Sequence, residues 1–236
     1  MFRNEDLDPQ RSKRAYADAM LEDLRWLGIA WQEGPEVGGP YEPYVQSLRR
    51  DWYESVWQEL RGRGWIYPCT CSRKDLSGAA GAPHEGNDEP IYSGKCRGAK
   101  SAATTPAGVN WRFRVPDGRV IRFHDQLLGP QVFEAGEDFG DFLVWRRDDV
   151  PAYQLAVVTD DAAMAITEVV RGMDLLKSTA RQLLLYEALG LKPPDFYHCD
   201  LVTDDEGARL AKRHDALSLR SMRAEGVSPE EVRAKF

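Results

Sequence analysis

Apolar residues recur at helical spacing twice near the start of the chain: Tyr16, Met20, Leu24 and Leu27 within residues 12–27, then Leu48, Trp52, Val56 and Leu60 within residues 44–63. Each run stops at a glycine, Gly28 or Gly64, so the pattern predicts two amphipathic helices with glycine C-terminal stops. Trp65-Ile66-Tyr67 then reads as a strand, and the opening predicts the αβ half of a parallel sheet. Residues 78–108 are rich in Gly, Ala, Ser and Pro, which predicts irregular structure held by something other than an apolar core. Strand patterns resume in Asn110-Trp111-Arg112-Phe113-Arg114-Val115 and Arg119-Val120-Ile121-Arg122-Phe123, joined through Pro116-Asp117-Gly118 as an antiparallel hairpin. The second half has βαβ character: an apolar stretch through Val158, a strand at 166–170, a helix at 178–189 stopped by Gly190, and a buried strand at 196–202. Ser228-Pro229-Glu230-Glu231 starts a last, brief helix with proline at its first position.

Composition narrows the class. With 236 residues, 42% of them hydrophobic, the chain can bury the core of one large domain or two small ones. The longest apolar runs, such as 155–158, are far too short to span a bilayer, and Met1-Phe2-Arg3-Asn4-Glu5 resembles no signal peptide, so a cytoplasmic location without membrane contact is expected. A net charge of −7 argues against indiscriminate nucleic-acid binding while leaving room for a local basic face at 49–50, 95–100, 146–147 or 209–213.

Candidate chemistry gathers in four places. Cys69-Thr70-Cys71 and Tyr92-Ser93-Gly94-Lys95-Cys96 put three thiols in one irregular segment. Three Cys with a fourth donor, Tyr92 or His84, suit tetrahedral zinc, which would supply the cross-link a Gly-rich stretch lacks; three reduced thiols are the alternative. Cys199, in its strand, is expected in the core. Tyr153 to Asp161 and Glu168-Val169-Val170-Arg171 combine a phenol and an arginine of the kind that bind a carboxylate, although Tyr153 could equally pack in the core and Arg171 pair with Asp160 or Asp161. Glu5-Asp6-Leu7-Asp8 could meet an ammonium group or cap the first helix. Finally, Arg209-Leu210-Ala211-Lys212-Arg213 follows a strand and a polar turn, where Arg209 and Lys212 are either a phosphate clamp or a solvated basic turn.

In this order, Arg3 to Arg11, Tyr67-Pro68-Cys69-Thr70-Cys71, Tyr153 to Asp161, Glu168 to Asp174 and Arg209 to Arg213 resemble class I glutamyl-tRNA synthetases, and within them the short glutamyl-Q tRNA(Asp) branch. The resemblance implies an α/β fold: a class I Rossmann-type nucleotide-binding domain with a zinc-containing α+β insertion. It divides the chain into 1–68 and 146–200 as the two halves of the catalytic domain, 69–145 as an acceptor-binding-like insertion, and 201–236 as the signature loop and the start of a helical segment. It implies a monomer that uses ATP with Mg2+ and L-glutamate, and transfers glutamate to queuosine of tRNA(Asp). Glu5 would receive the amino group, Tyr153 and Arg171 would bind the amino acid, with Arg171 on the side-chain carboxylate, and Asp174 would meet the ATP ribose. Arg209 and Lys212 would serve catalysis at the phosphates, Lys212 on the second lysine of a Lys-Met-Ser-Lys-Ser pattern whose serines are here Ala211 and Arg213. Cys69, Cys71, Tyr92 and Cys96 match the zinc set of the short branch, which favours Tyr92 over His84. Val157 stands where full-length glutamyl synthetases tend to have Asn, and no anticodon-binding domain is expected after the loop. The chain is also expected to start downstream of the His-Ile-Gly-His-type motif; a pseudo-synthetase without adenylation and a catalytic fragment of a glutamyl-tRNA synthetase are the alternatives.

Overall fold

A computed structural model describes residues 1–10, 12–72, 91–100, 102–201 and 218–234. Two compact units emerge, residues 50–199 and the pair of segments 1–49 and 200–236.

The larger unit opens with helix α2, Arg50–Gly62, the chain's second long helix. Asp51 in its first turn and Arg61 in its last complement the helix dipole, and Arg50 pairs with Glu54 at 2.6 Å one turn on. Gly64 ends it at φ +77°, with its N–H on Arg61 and that of Trp65 on Leu60, a left-handed closure that glycine adopts without a Cβ clash. Tyr53, Trp57 and Leu60 are the buried face, while Leu48 and Trp52 are 70% and 54% exposed. The helix falls within the predicted span of 44–63 but begins six residues late, with Leu48 on a separate 3-10 turn at Gln46–Leu48, and its apolar stripe is rotated by about one residue, or roughly 100°. Within the helix Trp52 and Val56 lie on one phase and Tyr53 and Trp57 on the other, with Leu60 shared, so the sequence offers two competing stripes, and the edge-on contact of Trp57 with Trp111 at 4.9 Å selects one.

Strand β1, Ile66–Cys69, pairs antiparallel with β2, Asn110–Phe113, which pairs antiparallel with β5, Leu143–Trp145. β1 is therefore the edge of a three-stranded antiparallel sheet and not a strand of a parallel one, and the edge position is what tolerates Pro68 within it. The second sheet has the order β4-β3-β7-β6: β3 is Val120–Asp125, β4 Gly129–Glu134, β6 Glu168–Gly172 and β7 Asp195–Cys199. β3 and β4 form the actual hairpin, closed where Asp125 Oδ1 accepts from the N–H groups of Leu127 and Leu128 and Gly129 takes φ +75°. The predicted hairpin of β2 with β3 is not formed, because the two strands belong to different sheets. β3 also runs parallel to β7 through Asp125 and Phe196, and β7 parallel to β6 over five register pairs. β6, helix α4 at Leu176–Leu189 and β7 make the expected βαβ unit, with Gly190 as the left-handed helix stop. The apolar stretch before it is helix α3, Tyr153–Ala163, whose residues 155–161 are all buried.

In the smaller unit, α1 spans Arg14–Trp26, with Leu21 buried and Leu24 and Leu27 half-buried; Tyr16 and Met20 are 62% and 42% exposed, so only half of the predicted stripe faces inward. Its N-cap, Lys13, makes no side-chain cap. The short helices α5, Leu219–Ala224, and α6, Pro229–Arg233, follow, α6 with the predicted proline start and a complete Ser228–Glu231 capping box. Arg220 and Arg223 pair with Glu22 of α1, and Arg233 donates to the Leu27 carbonyl at its end.

Candidate functional site

The carboxyl ends of the parallel strands β3, β7 and β6 carry Asp125, His198 and Arg171, at the side of an α/β sheet where ligands ordinarily bind. Asp125 and His198 are fully buried and Arg171 is half-buried. Asp125 Oδ2 lies 2.6 Å from His198 Nδ1; Arg171 Nε donates to His198 Nε2 at 3.1 Å, and Arg171 Nη2 to Thr179 Oγ1 at 2.7 Å and Gln182 Oε1 at 2.8 Å. Gln182 in turn donates to Gln154, and Gln154 to Ser178, so α3 and α4 extend the network. Burial by itself would raise the Asp125 carboxyl, but hydrogen bonds from His198 and from backbone N–H groups outweigh it and hold the group down at about 2.

A second cluster lies at the end of β1. The sulfurs of Cys69, Cys71 and Cys96 are all within 4.8 Å of one another, and Tyr92 Oη is 3.4 Å from Cys69 Sγ and 3.5 Å from Cys71 Sγ. An ion held tetrahedrally at about 2.3 Å from sulfur and about 2.0 Å from oxygen would set sulfur–oxygen separations near roughly 3.5 Å, so this donor set fits zinc in kind and in size. Burial pushes the Cys96 thiol up, yet hydrogen bonds from Tyr92, the Thr70 backbone and the other two cysteines bring it down to about 6; burial pushes Cys71 and Tyr92 up. The buried Arg112 guanidinium faces the cluster, with Nε 3.4 Å from Cys69 Sγ and its centre 4.1 Å from the Tyr92 ring. The loop bearing Tyr92 and Cys96 is fastened by Arg97, whose Nε and Nη2 grip both oxygens of buried Asp141 at 2.6 and 2.7 Å.

The residues singled out in the sequence fall as follows. Tyr153 is 36% exposed at the start of α3, next to Gln154, and is not core. Arg171 takes His198, Thr179 and Gln182 as partners instead of Asp160 or Asp161; Asp160 accepts from Tyr53 at 2.8 Å. Asp174 is exposed on the 3-10 turn Met173–Leu175 directly after β6. Glu5, in the other unit, pairs with Arg3 at 2.9 Å, and the neighbouring Asp6 binds the N–H and hydroxyl of Ser47 instead of capping α1. Arg209, Lys212 and His84 lie outside the described residues. Cys199 is exposed, correcting its expected core position: β7 alternates, Phe196 and His198 take its inner face, and Cys199 takes the outer. Sequence reasoning missed Asp125, Thr179, Gln182 and His198. Only His198 left a signal, a lone imidazole in phase with Phe196 along an apolar strand.

Residues 1–235 match the family described as tRNA synthetases class I (E and Q), catalytic domain. The chain is 48% identical over 235 residues to a glutamyl-Q tRNA(Asp) synthetase of Nitratidesulfovibrio vulgaris, covering 96% of this chain and 71% of that protein. It is 48% identical to the protein of the same name in Symbiobacterium thermophilum, covering 98% and 73%. Against glutamate--tRNA ligase 2 of Syntrophus aciditrophicus, identity is 42% over 98% of this chain, which spans about half, 48%, of that relative. Among solved structures, the glutamate-tRNA synthetase of Elizabethkingia anophelis superposes with a TM-score of 0.75 at 30% identity, covering 89% of this chain and 45% of its own.

Proposed function

Because the chain belongs to the class I tRNA synthetase (E and Q) catalytic-domain family, we propose that it activates L-glutamate with ATP and transfers the glutamyl group to queuosine in the anticodon loop of tRNA(Asp). The α-carboxylate oxygen of glutamate attacks the α-phosphorus of ATP, pyrophosphate leaves, and glutamyl-adenylate results; a hydroxyl of the tRNA then attacks the activated carbonyl and AMP leaves. Such chemistry needs no covalent enzyme intermediate, and positioning with charge neutralisation supplies the acceleration.

The observation that carries this reading is Arg171, a guanidinium at the carboxyl end of a parallel strand whose hydrogen-bond partners, Thr179, Gln182 and the His198 ring nitrogen, bring no carboxylate to it. In this assignment Arg171 receives the glutamate side-chain carboxylate, Tyr153 the amino acid, Glu5 its ammonium group and Asp174 the ribose. Arg209 and Lys212 neutralise the ATP phosphates, with Mg2+ as the accompanying cation. Zinc bound by Cys69, Cys71, Tyr92 and Cys96 would cross-link an irregular segment and supplies no step of the reaction.

The choice of acceptor rests on the two glutamyl-Q relatives, which this chain matches more closely and over more of their length than it does the glutamate--tRNA ligase. The second reading, charging of tRNA(Glu), is favoured by the fold shared with the larger synthetase. Glutamate-dependent exchange of pyrophosphate into ATP should be detected with the purified chain, followed by transfer of labelled glutamate to queuosine-containing tRNA(Asp) and not to its unmodified form. Transfer to tRNA(Glu) alone would select the second reading, and absence of exchange would defeat both.

A further inference from the structure

Among the described residues, Arg171 is oriented by His198, Thr179 and Gln182 without a carboxylate partner. Its Nε–H points at His198 Nε2, so that nitrogen must offer a lone pair, and the imidazole proton therefore belongs on Nδ1, directed at Asp125 Oδ2 2.6 Å away. The opposite tautomer would aim two donors at each other. Thr179 Oγ1, 3.1 Å from the same Nε2, accepts from Arg171 Nη2 and has its own proton for the ring nitrogen. Asp125 is fixed in turn, because its Oδ1 accepts from the backbone N–H groups of Leu127, Leu128 and His198. The one carboxylate of this network therefore lies a full imidazole ring away from the guanidinium. Among the described residues no acidic side chain pairs with Arg171 directly. Its flat face rests on the Phe196 ring, with centres 5.3 Å apart, which limits the remaining swing of the side chain.

We infer that His198 and Asp125 are positioning residues for Arg171: Asp125 sets the tautomer of His198, and His198 holds the guanidinium in place as a neutral acceptor, so that a ligand carboxylate meets a fixed cation whose charge is still available. This inference rests on the reading of Arg171 as the receiver of the glutamate side chain. It extends that reading to specificity. A direct Asp–Arg pair in the same place would fix the side chain equally well but would repel a second carboxylate; the interposed imidazole separates orientation from neutralisation. The arrangement favours an anionic side chain over its isosteric amide, which cannot replace the carboxylate in a charge-assisted bond.

The full chain is tested by calorimetric titration with L-glutamate and with L-glutamine, and by pyrophosphate exchange for KM and kcat. His198→Asn keeps a donor towards Asp125 and removes the acceptor for Arg171; it should weaken glutamate binding and raise its KM about tenfold while ATP KM stays within about twofold, with less preference over glutamine. His198→Gln returns an acceptor oxygen near the former Nε2 and should recover most of the loss. Asp125→Asn, offering an amide donor to Nδ1, should drive the proton onto Nε2, seen as an exchange of the two ring-nitrogen shifts in 15N spectra. A His198→Asn protein that folds and binds glutamate like the wild type overturns the inference. So does a wild-type spectrum with the proton on Nε2, a measurement that needs no variant to fold. Arg171→Ala separates the two levels: if it leaves glutamate binding unchanged, or if the wild-type chain binds no glutamate, the underlying reading falls and this inference with it; if Arg171→Ala weakens binding while both His198 variants do not, only the positioning role falls.

Discussion

Asp125 shows how much one buried carboxylate can do at the residue scale. It ends β3, closes the β3–β4 hairpin by accepting two N–H groups, and holds His198 across the sheet. Its ionised form is favoured in the folded state, with a pKa near about 2 against an ordinary value of about 3.9 in the unfolded chain. A depressed carboxyl stabilises the fold above the unfolded value and stops doing so as pH falls through the folded one, so the contribution, roughly 2–3 kcal/mol, is complete above about pH 5 and lost towards about pH 2. Urea unfolding of wild type and Asp125→Asn across this range should show the wild-type advantage shrinking with acid; an advantage independent of pH would contradict the assignment. His198 was readable as an unusual residue in an apolar strand, but its partners were not. Asp125 is 73 positions away in sequence, and only the parallel pairing of β3 with β7 brings them together.

At the scale of elements, hydrophobic period placed α1, α4, β2, β3, β6 and β7, gave no strand at β4 or β5, left the apolar stretch of α3 without a type, and fixed orientation poorly. Residues 44–63 contain Leu48, Trp52, Val56 and Leu60 on one phase and Tyr53, Trp57 and Leu60 on another, and the fold buries the second. The two phases make opposite predictions. Trp57→Ala should cost about 3–5 kcal/mol in chemical denaturation, because it leaves a cavity against Trp111, whereas Trp52→Ala should stay within about 0.5 kcal/mol. Equal losses at both positions would mean that Trp52 is buried. The strands repeat the lesson. Trp111, Phe113 and Ile121 read as strand residues from their alternation, yet β2 and β3 join different sheets, because backbone donors and acceptors carry no label of their partner and a short Pro-Asp-Gly connection is compatible with a hairpin or with a crossing between sheets.

For the molecule as a whole, residues 91–100, the described stretch that carries Tyr92 and Cys96, pack against the end of β1 through Tyr67, Cys69 and Tyr92 and are fastened there by cross-links. Arg97 with Asp141 is one, and the Cys69, Cys71, Tyr92, Cys96 cluster is proposed as another through zinc. Metal analysis of the purified chain should give about one zinc per chain, and removal by a strong chelator should lower Tm by several degrees, with Cys96→Ser insensitive to the chelator. A metal-free protein with unchanged Tm would leave Arg97 and Asp141 as the fastening. The sequence by itself determined the family, the α/β class, the βαβ unit around α4 and the composition of the cysteine cluster. These depend on residue types at short, fixed spacing, where local period and donor chemistry are sufficient. Tertiary structure alone decided which face of each helix is buried, which strands share a sheet, and that an imidazole stands between Asp125 and Arg171. Those outcomes are set by which distant segments exclude water together, and the free energy of that choice belongs to pairs of segments rather than to either sequence alone.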